Sequence, residues 1–349
     1  MTSIFLTGAT GYIGGAVLAR LLTHPRAASF DITALVRSEA KGALLQKKFG
    51  VKTLVGALDN VDEITAASEA SNVVIHTANC DHLPSAQAIL AGMKARYTKT
   101  GEVPVLIHTS GTGMLVDDAR GAFLSETIYD DMDLESVKSI SPSAFHRNVD
   151  VPIVEADVAG YVRAYIVSPS AIYGVAKHAL VDAGIANRFS LTIPIQARIA
   201  IKRGHPVVVG EGKGAWPVVH IDDTAEFYIQ LFDAVLGGGR ETVGHGAEGL
   251  YFLENGELTW GAMAHSIGQA MAASGFVSGP ALAPKPLTTP EQLVELFGNE
   301  IVGWIFGSNA RCKANRARAQ VGWKPKYGVE GFDASTVEDI QGLLQEEKK

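Results

Sequence analysis

The feature that most constrains this fold is a glycine-rich segment near the amino terminus, TGATGYIGG at residues 7–15. A short apolar run at residues 4–6 precedes it and has the composition of a β-strand. Residues 16–22 follow with the apolar spacing of an amphipathic helix. A strand, a glycine-rich turn and a helix in this order are typical of a dinucleotide-binding site.

Three glycines of the segment have a predicted part in holding a diphosphate. Gly8 allows the tight turn, Gly11 lets the backbone approach the phosphates, and Gly14 lets the helix pack closely on the strand. The helix amino terminus then presents free N–H groups to the anion. The predicted cofactor-binding residues here are Gly8, Thr10, Gly11, Tyr12, Ile13 and Gly14.

Strand and helix patterns alternate through the first half of the chain. The strands are continuously apolar, as expected of a parallel sheet that is covered on both faces. This predicts an α/β fold with a doubly wound parallel sheet and ligands at the carboxyl ends of the strands. Further strands are predicted at 30–36, 51–56, 72–78, 104–110 and 163–169, with helices at about 39–49, 60–70 and 84–97.

The end of the second strand indicates which dinucleotide fits. The strand is followed by Arg37 and Ser38, with Lys41 nearby and no acidic residue before Glu39. Arg37 could pair with a 2′-phosphate, which favours NADP over NAD. The alternative is that Arg37 only stacks on the adenine, which would serve either cofactor. Thr77 and Ala78, after the fourth strand, are expected to line the path of the diphosphate.

Composition excludes several other classes of protein. The net charge is −7 and there is no basic stripe, which argues against nucleic acid as a partner. No apolar run reaches the roughly 20 residues of a membrane span. The first strand begins almost at Met1, which leaves no room for a targeting peptide, so a cytoplasmic location is expected. Cys80 and Cys312 make no disulfide framework, and no close Cys/His spacing predicts a metal site.

The character of the sequence changes near residue 175. We expect a nucleotide-binding domain at 1–175, with 216–236 returning to it, and a smaller mixed lobe at 176–349 that binds substrate. Residues 177–203 are expected to be mostly helical, and Asp222 or Asp223 is expected to cap a helix at 224–236. Within the lobe we predict a strand at 249–256, a helix from Thr259 to about 273, a helix starting at Pro290 and a final helix at 335–347.

The segment between the fifth and sixth strands should carry a helix of the nucleotide-binding domain. Ser141 and Pro142 suit the cap and first turn of a helix, so we expect one to begin there. Pro152 is expected to interrupt that helix or to mark a second start.

Several motifs together resemble the short-chain dehydrogenase/reductase family, in its extended branch of NAD-dependent epimerase/dehydratase-like proteins. The resemblance implies a Rossmann domain followed by a substrate-binding lobe, and it allows a homodimer. The matching segments are TGATGYIG at 7–14, HTSG at 108–111, SPSAIYG at 168–174, VHIDD at 219–223 and GWKP at 322–325.

The resemblance implies catalysis by a Ser or Thr after the fifth strand and by a Tyr-x-x-x-Lys pair on the following helix. Ser110 fits the first position, with Thr112 as a substitute. The Tyr-x-x-x-Lys pair is missing, and His146 and Asp150 stand where its two members are expected. The resemblance also places Pro169 at the cofactor.

The replacements change the chemistry that this site can perform. A histidine can give or take a proton near neutral pH, whereas Asp150 is negative and could accept hydrogen bonds from ribose hydroxyls. His146 could instead be a surface residue without a role, and Asp150 a local cap before the proline. Tyr173 and Lys177 match the spelling of the missing pair, but Gly174 breaks the helix that would align them.

We therefore predict an NADP(H)-dependent oxidoreductase of the atypical extended type, which acts on a carbonyl or alcohol of a small organic substrate. Ser110 would orient the substrate oxygen and His146 would handle the proton, without a metal. Two alternatives stay open. One is a non-catalytic regulator that senses the dinucleotide, and the other is a non-redox epimerase, isomerase or cyclase that retains its cofactor.

Overall fold

The computed structural model describes residues 1–237 and 242–346. The strands are, in chain order, β1 (Thr2–Thr7), β2 (Phe30–Val36), β3 (Lys52–Val55), β4 (Val73–His76), β5 (Val105–Thr109), β6 (Tyr129–Asp130), β7 (Arg163–Pro169), β8 (Ala171–Tyr173), β9 (Val207–Val209), β10 (Ala215–His220), β11 (Leu250–Leu253), β12 (Glu257–Thr259), β13 (Lys285–Leu287) and β14 (Cys312–Lys313).

The helices lie between these strands and mostly follow the predicted alternation. In chain order they are α1 (Tyr12–Leu22), α2 (Glu39–Phe49), α3 (Val61–Glu69), α4 (Leu83–Thr100), α5 (Leu134–Lys138), α6 (Arg147–Val158), α7 (Ala179–Asp182), α8 (Thr192–Arg203), α9 (Ile221–Leu236), α10 (Trp260–Ala273), α11 (Pro290–Phe297), α12 (Glu300–Ile305) and α13 (Phe332–Glu346).

The described residues form a central parallel sheet of seven strands, in the order β11-β7-β5-β4-β1-β2-β3. Every residue of β4 and β5 is buried, because helices cover both faces of the sheet. The order reverses between β1 and β4, which is where open α/β sheets bind their ligands. The predicted doubly wound α/β fold is confirmed.

Strand register brings the chemistry-bearing positions to one edge of the sheet. Thr7 pairs with His76, and His76 pairs with His108 in the next strand. The residues that follow these strand ends therefore emerge side by side. Gly8, Thr77 and Ser110 share the carboxyl edge because of this register.

The rest of the chain builds smaller sheets and a second apolar cluster. β8, β10 and β12 form one sheet, β9 pairs with β13, and β6 pairs with β14. Helices α8, α10 and α13 bury apolar residues such as Ala197, Ile267 and Ile340 against one another. Helix α9 returns to α1, where Arg20 Nη1 contacts Glu226 Oε2 at 2.9 Å.

One strand of the central sheet comes from the range that the sequence assigned to the lobe. β11 pairs in parallel with β7 and extends the sheet at its edge. The sequence predicted a strand at this position but no partner for it. Residues 250–253 thus belong to the nucleotide-binding sheet.

The helix expected after Ser141 begins six residues later, at Arg147. Ser141 Oγ instead accepts a hydrogen bond from Ser143 N, and His146 adopts a φ of +70°, which no α-helix can contain. Pro152 does not interrupt α6, which continues through it to Val158. Both expectations for this segment were therefore wrong.

Three expectations about the second half need smaller corrections. The range 177–203 is broken between α7 and α8, where Gly184 has a φ of +71°. Neither aspartate caps α9. His220 Nδ1 accepts a hydrogen bond from Asp222 N at 3.2 Å, and the Asp223 carboxylate accepts one from the backbone N–H of Lys326. The last helix starts earlier than expected, and its predicted end at Glu347 lies outside the described residues.

Two predictions for this half are confirmed. Thr259 caps α10 by accepting from Ala262 N, and Pro290 is the first residue of α11.

Within the part of the chain that is described, no helix combines the length and apolar character that crossing a bilayer requires.

Candidate active site

Close backbone approaches shape the glycine turn after β1. Gly8 has a φ of +76°, in the region that favours glycine, and its carbonyl accepts from Gly11 N at 2.8 Å. A Cβ on Gly14 would overlap the Gly8 carbonyl oxygen and Thr77 Oγ1. Gly11 precedes α1 without a capping side chain, so the first amides of the helix are open to an anion.

A cavity of about 470 Å³ lies over this turn, at the carboxyl ends of the first four strands. Six residues that the sequence assigned to the cofactor line it: Gly8, Thr10, Gly11, Arg37, Thr77 and Ala78. The sequence analysis missed Asn79, His82 and Asn187, which line it as well. Asn187 N donates to the Thr10 carbonyl at 3.1 Å, so a segment that follows α7 closes one wall. We call this cavity the cofactor cleft.

Five further residues assigned to the cofactor have other surroundings. Gly14 supports the turn from below, and Ile13 packs against the apolar core. The Tyr12 hydroxyl donates to backbone carbonyls at the end of β8. Ser38 caps α2 by accepting a backbone amide at 3.3 Å, and Pro169 ends β7 in a buried position.

Two cationic side chains line the cofactor cleft. Arg37 is exposed just after β2, and Lys41 follows four residues later, at the start of α2. Asp59 lines the cleft as well, and its carboxylate contacts His82 Nε2 at 3.1 Å. Guanidinium and ammonium groups are common partners of phosphate.

Ser110 and Asp150 meet in the protein interior just beyond β5. Ser110 Oγ donates to Asp150 Oδ2 at 2.9 Å, and the Asp150 side chain is fully buried. Arg147, one turn earlier on α6, brings Nη1 to 3.8 Å from the same carboxylate oxygen. A buried carboxylate requires such partners, because burial without them disfavours its charge.

Two buried histidines continue this group behind Ser110. His108 Nε2 lies 3.5 Å from Asp150 Oδ1, and His108 Nδ1 lies 2.8 Å from His76 Nδ1. In the contact between the two rings one Nδ1 donates and the other accepts, whereas neither His108 Nε2 nor Asp150 Oδ1 has a hydrogen-bond partner among the described residues. Burial, followed by the neighbouring His108, lowers the pKa of His76 well below its usual value, so His76 is neutral. The sequence analysis had treated both as ordinary strand-end residues.

His146 lies on the opposite side of the turn that follows Ser110. Its Nε2 faces Gly111 and Gly113, and a Cβ on Gly113 would come within 2.8 Å of that nitrogen. Its Nδ1 is 2.8 Å from Asp81 Oδ1. The left-handed backbone of His146 is rare for a residue with a side chain, and it aims the ring into this position.

Asp81 is the main residue that the sequence analysis missed. It follows β4, whereas His146 immediately precedes α6, and only the fold brings the two together. A carboxylate on Nδ1 fixes the ring and its tautomer, so the other nitrogen is left for proton transfer. The one signal for Asp81 in the sequence is its position after β4, because β4 pairs with β5 and His146 follows β5 in the chain.

Cys80 completes a small cluster with these two residues. Its Sγ lies 3.2 Å from His146 Nδ1, and the three potential ligand atoms are within 4.8 Å of one another. Sulfur, nitrogen and oxygen donors suit an ion such as Zn²⁺, so this cluster could hold one. The sequence predicted no such group, because His146 lies 65 residues from Asp81 in the chain. Burial, then Asp81 and Asp150, raises the pKa of Cys80 to about 12.

The alternative catalytic residues have other partners. The Tyr173 hydroxyl donates to the Gly328 carbonyl at 2.6 Å, and Lys177 Nζ pairs with Glu338 at 2.7 Å. The two side chains therefore do not form a pair. Thr112 is buried two residues after Ser110, and no hydrogen-bond partner for its hydroxyl is found among the described residues.

A second cavity, of about 580 Å³, opens beside His146. It is lined by Asp81 and His146 and by residues from the segments 114–116 and 141–148. Asp81 belongs to the same loop as Asn79 and His82 of the cofactor cleft. None of the described residues of 176–349, the range that was expected to bind substrate, lines it. We call it the substrate cavity.

Comparison with known proteins agrees with this fold. A family described as NAD(P)H-binding matches residues 8–132. Oxidase ucsJ from Acremonium sp is 30% identical, over 99% of this chain and 97% of its own. UDP-glucose 4-epimerase from Thermotoga maritima, solved with UDP-glucose, has a TM-score of 0.66 at 12% identity, over 98% of this chain and 99% of its own. dTDP-glucose 4,6-dehydratase from Bacillus anthracis, solved with NAD, has a TM-score of 0.64 at 15% identity, over 100% of this chain and 98% of its own.

Proposed function

Because this chain belongs to the same family as Oxidase ucsJ, is an NAD(P)-dependent enzyme and has the fold of the extended short-chain dehydrogenases/reductases, we propose that it interconverts an alcohol and a carbonyl of a small organic substrate, with NADP(H) as its cofactor. The observation that carries this proposal is the pair of polar groups on either side of one turn. Ser110 is held by Asp150, and His146 is held by Asp81.

In the proposed mechanism, the Ser110 hydroxyl turns from Asp150 to donate to the substrate oxygen, and His146 Nε2 gives or takes the proton of that oxygen. A nicotinamide held in the cofactor cleft would supply or accept the hydride. Asp81 keeps the imidazole in the tautomer that leaves Nε2 facing the turn after Ser110. The site thus replaces the tyrosine phenol of the family with an imidazole.

Asp150 has a different part from the lysine that the family carries at its position. It fixes the Ser110 hydroxyl, and Arg147 balances its charge. Its side chain is fully buried and lines neither cavity. We therefore propose Asp150 as the residue that positions Ser110.

The preference for NADP(H) rests on the two cationic side chains that line the cofactor cleft. Arg37 and Lys41 together offer a bidentate guanidinium and an ammonium to a 2′-phosphate. An adenine that stacks on Arg37 would use only one of these two cations. The presence of both cations in the lining of the cleft supports binding of a 2′-phosphate.

The test compares His146→Ala and Ser110→Ala with the wild-type enzyme, by NADPH fluorescence and by NADP⁺ reduction over a panel of alcohols and ketones. We expect each variant to bind NADPH within about twofold of wild type and to lose about 10²-fold in kcat. His265→Ala, on the exposed side of α10, is the matched control and should keep the NADPH affinity and the kcat of the wild type.

The same assay separates the remaining possibilities. Cofactor binding without turnover by the wild-type enzyme would favour a sensor of the dinucleotide. Conversion of substrate with no net change in NADPH absorbance would favour an epimerase, isomerase or cyclase. Failure to bind either NADPH or NADH would contradict the proposal as a whole.

A further inference from the structure

The walls of the substrate cavity are chemically unlike those of the cofactor cleft. One group of lining residues is apolar: Met114, Val116, Ala144 and Phe145. A second group is polar but uncharged: Ser141, Ser143 and Asn148. Among the residues that the structure describes, no lysine or arginine lines this cavity, whereas the cofactor cleft has both.

The single carboxylate in the cavity wall strengthens this contrast. Asp81 is half exposed, and its Oδ1 contacts His146 Nδ1. Its negative charge repels any anionic group that enters beside the imidazole. Arg147, the cationic residue that directly follows His146, is mostly buried and pairs with Asp150. It is thus not available to neutralise a ligand in this cavity.

The apolar residues offer a surface that a ligand can cover. Phe145 is 42% exposed immediately before His146, although its ring is a large apolar group. Met114 is buried three residues after Gly111, on the segment that His146 Nε2 faces. A cavity of this size accommodates a small organic molecule, and such sites are usually apolar with a few placed polar groups.

From these observations we infer the class of substrate, an inference that rests on the proposed function. The substrate is an uncharged, largely apolar molecule that bears one reacting hydroxyl or ketone. It carries no phosphate or carboxylate close to the reacting carbon. The epimerase of similar fold was solved with UDP-glucose, which carries a charged diphosphate, and no described lysine or arginine lines this cavity to pair with such a group.

The test uses a probe, so it does not require the natural substrate. Prodan, an uncharged naphthyl ketone, emits at shorter wavelength in apolar surroundings and is titrated into the NADP⁺-loaded enzyme. We expect saturable binding with a blue shift, and an affinity that varies less than about twofold between low and high salt, because no charge is recognised. An uncharged aryl alcohol should displace the probe, and UDP-glucose at about 1 mM should not.

Two variants locate the probe. Phe145→Ala should weaken prodan binding about tenfold, because it removes a large apolar contact from the cavity wall. Tyr97→Ala is the control, since Tyr97 is similarly exposed near the distal end of α4 and does not line the cavity. Circular dichroism and NADPH affinity should be unchanged in both.

The inference is overturned if prodan does not bind, if UDP-glucose displaces it, or if Phe145→Ala leaves its affinity unchanged. Each of these results is compatible with normal NADPH binding and turnover, so the proposed function would survive them. Loss of NADPH binding in the wild-type enzyme is the separate result that contradicts the proposed function.

Discussion

The cofactor cleft and the substrate cavity lie at the same edge of the sheet, but they are built by different means. The cofactor cleft is formed by backbone at the glycine turn, with Thr77 beneath it and Arg37 at one end. The substrate cavity is formed by side chains from separate loops, and its polar groups are fixed by contacts such as that of Asp81 with His146. Backbone sites depend on local sequence, whereas side-chain sites depend on tertiary packing.

The largest effect that this comparison predicts comes from Gly14→Ala. The added methyl group would overlap the Gly8 carbonyl and Thr77 Oγ1, so the turn and the start of α1 must shift. We expect NADPH affinity to fall by about 10³-fold or more, measured by fluorescence titration, because that backbone would hold the diphosphate. Thermal unfolding should also begin at a lower temperature.

Gly331→Ala is the matched control for this substitution. A Cβ at Gly331 would meet only Tyr173 Oη, at the ordinary distance of 3.5 Å. NADPH affinity should therefore stay within about twofold of wild type. Normal cofactor binding by Gly14→Ala would show that the cleft does not rely on the backbone in the way described.

The next effect concerns the reactivity of Cys80, whose Sγ lies 3.2 Å from Nδ1 of His146, a residue of the substrate cavity. Burial and the carboxylates of Asp81 and Asp150 raise its pKa to about 12, so almost no thiolate exists at neutral pH. We expect alkylation by iodoacetamide at about pH 8 to be roughly 10³-fold slower than for an unperturbed thiol. The rate should keep rising well above pH 9, and peptide mass spectrometry would follow it.

A partner variant identifies the cause of the slow reaction. Asp81→Asn removes one of the two carboxylates and should speed alkylation of Cys80, because the thiolate is then less disfavoured. Cys312 is buried and also has a raised pKa, so it serves as an internal reference that should not respond. Rapid alkylation of Cys80 in the wild type would contradict the described packing of the cluster.

The sequence predicted the cofactor cleft far better than the substrate cavity, for the reason that the comparison gives. The glycine turn and its helix are adjacent in the chain, so their spacing alone indicates the structure. Ser110 could be assigned because it directly follows a strand. Asp81 could not, since its partner His146 lies 65 residues away and their contact depends on the packing of the loop after β4 against the start of α6.

Local patterns also misled where the backbone leaves the common regions. Ser141 and Pro142 have the composition of a helix start, but the left-handed His146 delays α6. Strand β11 was recognisable from its apolar residues, yet its place beside β7 is a long-range pairing that composition does not contain. In both cases tertiary contacts decided the outcome over local propensity.

A smaller effect is expected from Asp81→Asn on catalysis. The amide keeps the size of the side chain but no longer fixes His146 as a charged acceptor does. We expect kcat to fall by about 10- to 30-fold, with NADPH affinity unchanged. Asp81→Glu should restore part of the rate. An unchanged kcat in Asp81→Asn would remove Asp81 from the mechanism without affecting the cofactor cleft.

The smallest predicted effect concerns the one place where the cofactor cleft uses charged side chains. Arg37→Ala should weaken NADPH about tenfold and leave NADH within about twofold, because only NADPH has the phosphate that a guanidinium pairs with. The affinity of the wild type for NADPH should fall with salt, in contrast to prodan in the substrate cavity. Arg198→Ala, whose arginine pairs with Glu346 at the surface, is the control. Equal losses of affinity for NADPH and NADH in Arg37→Ala would instead indicate that Arg37 stacks on the adenine. The cofactor cleft and the substrate cavity would then differ in shape more than in charge.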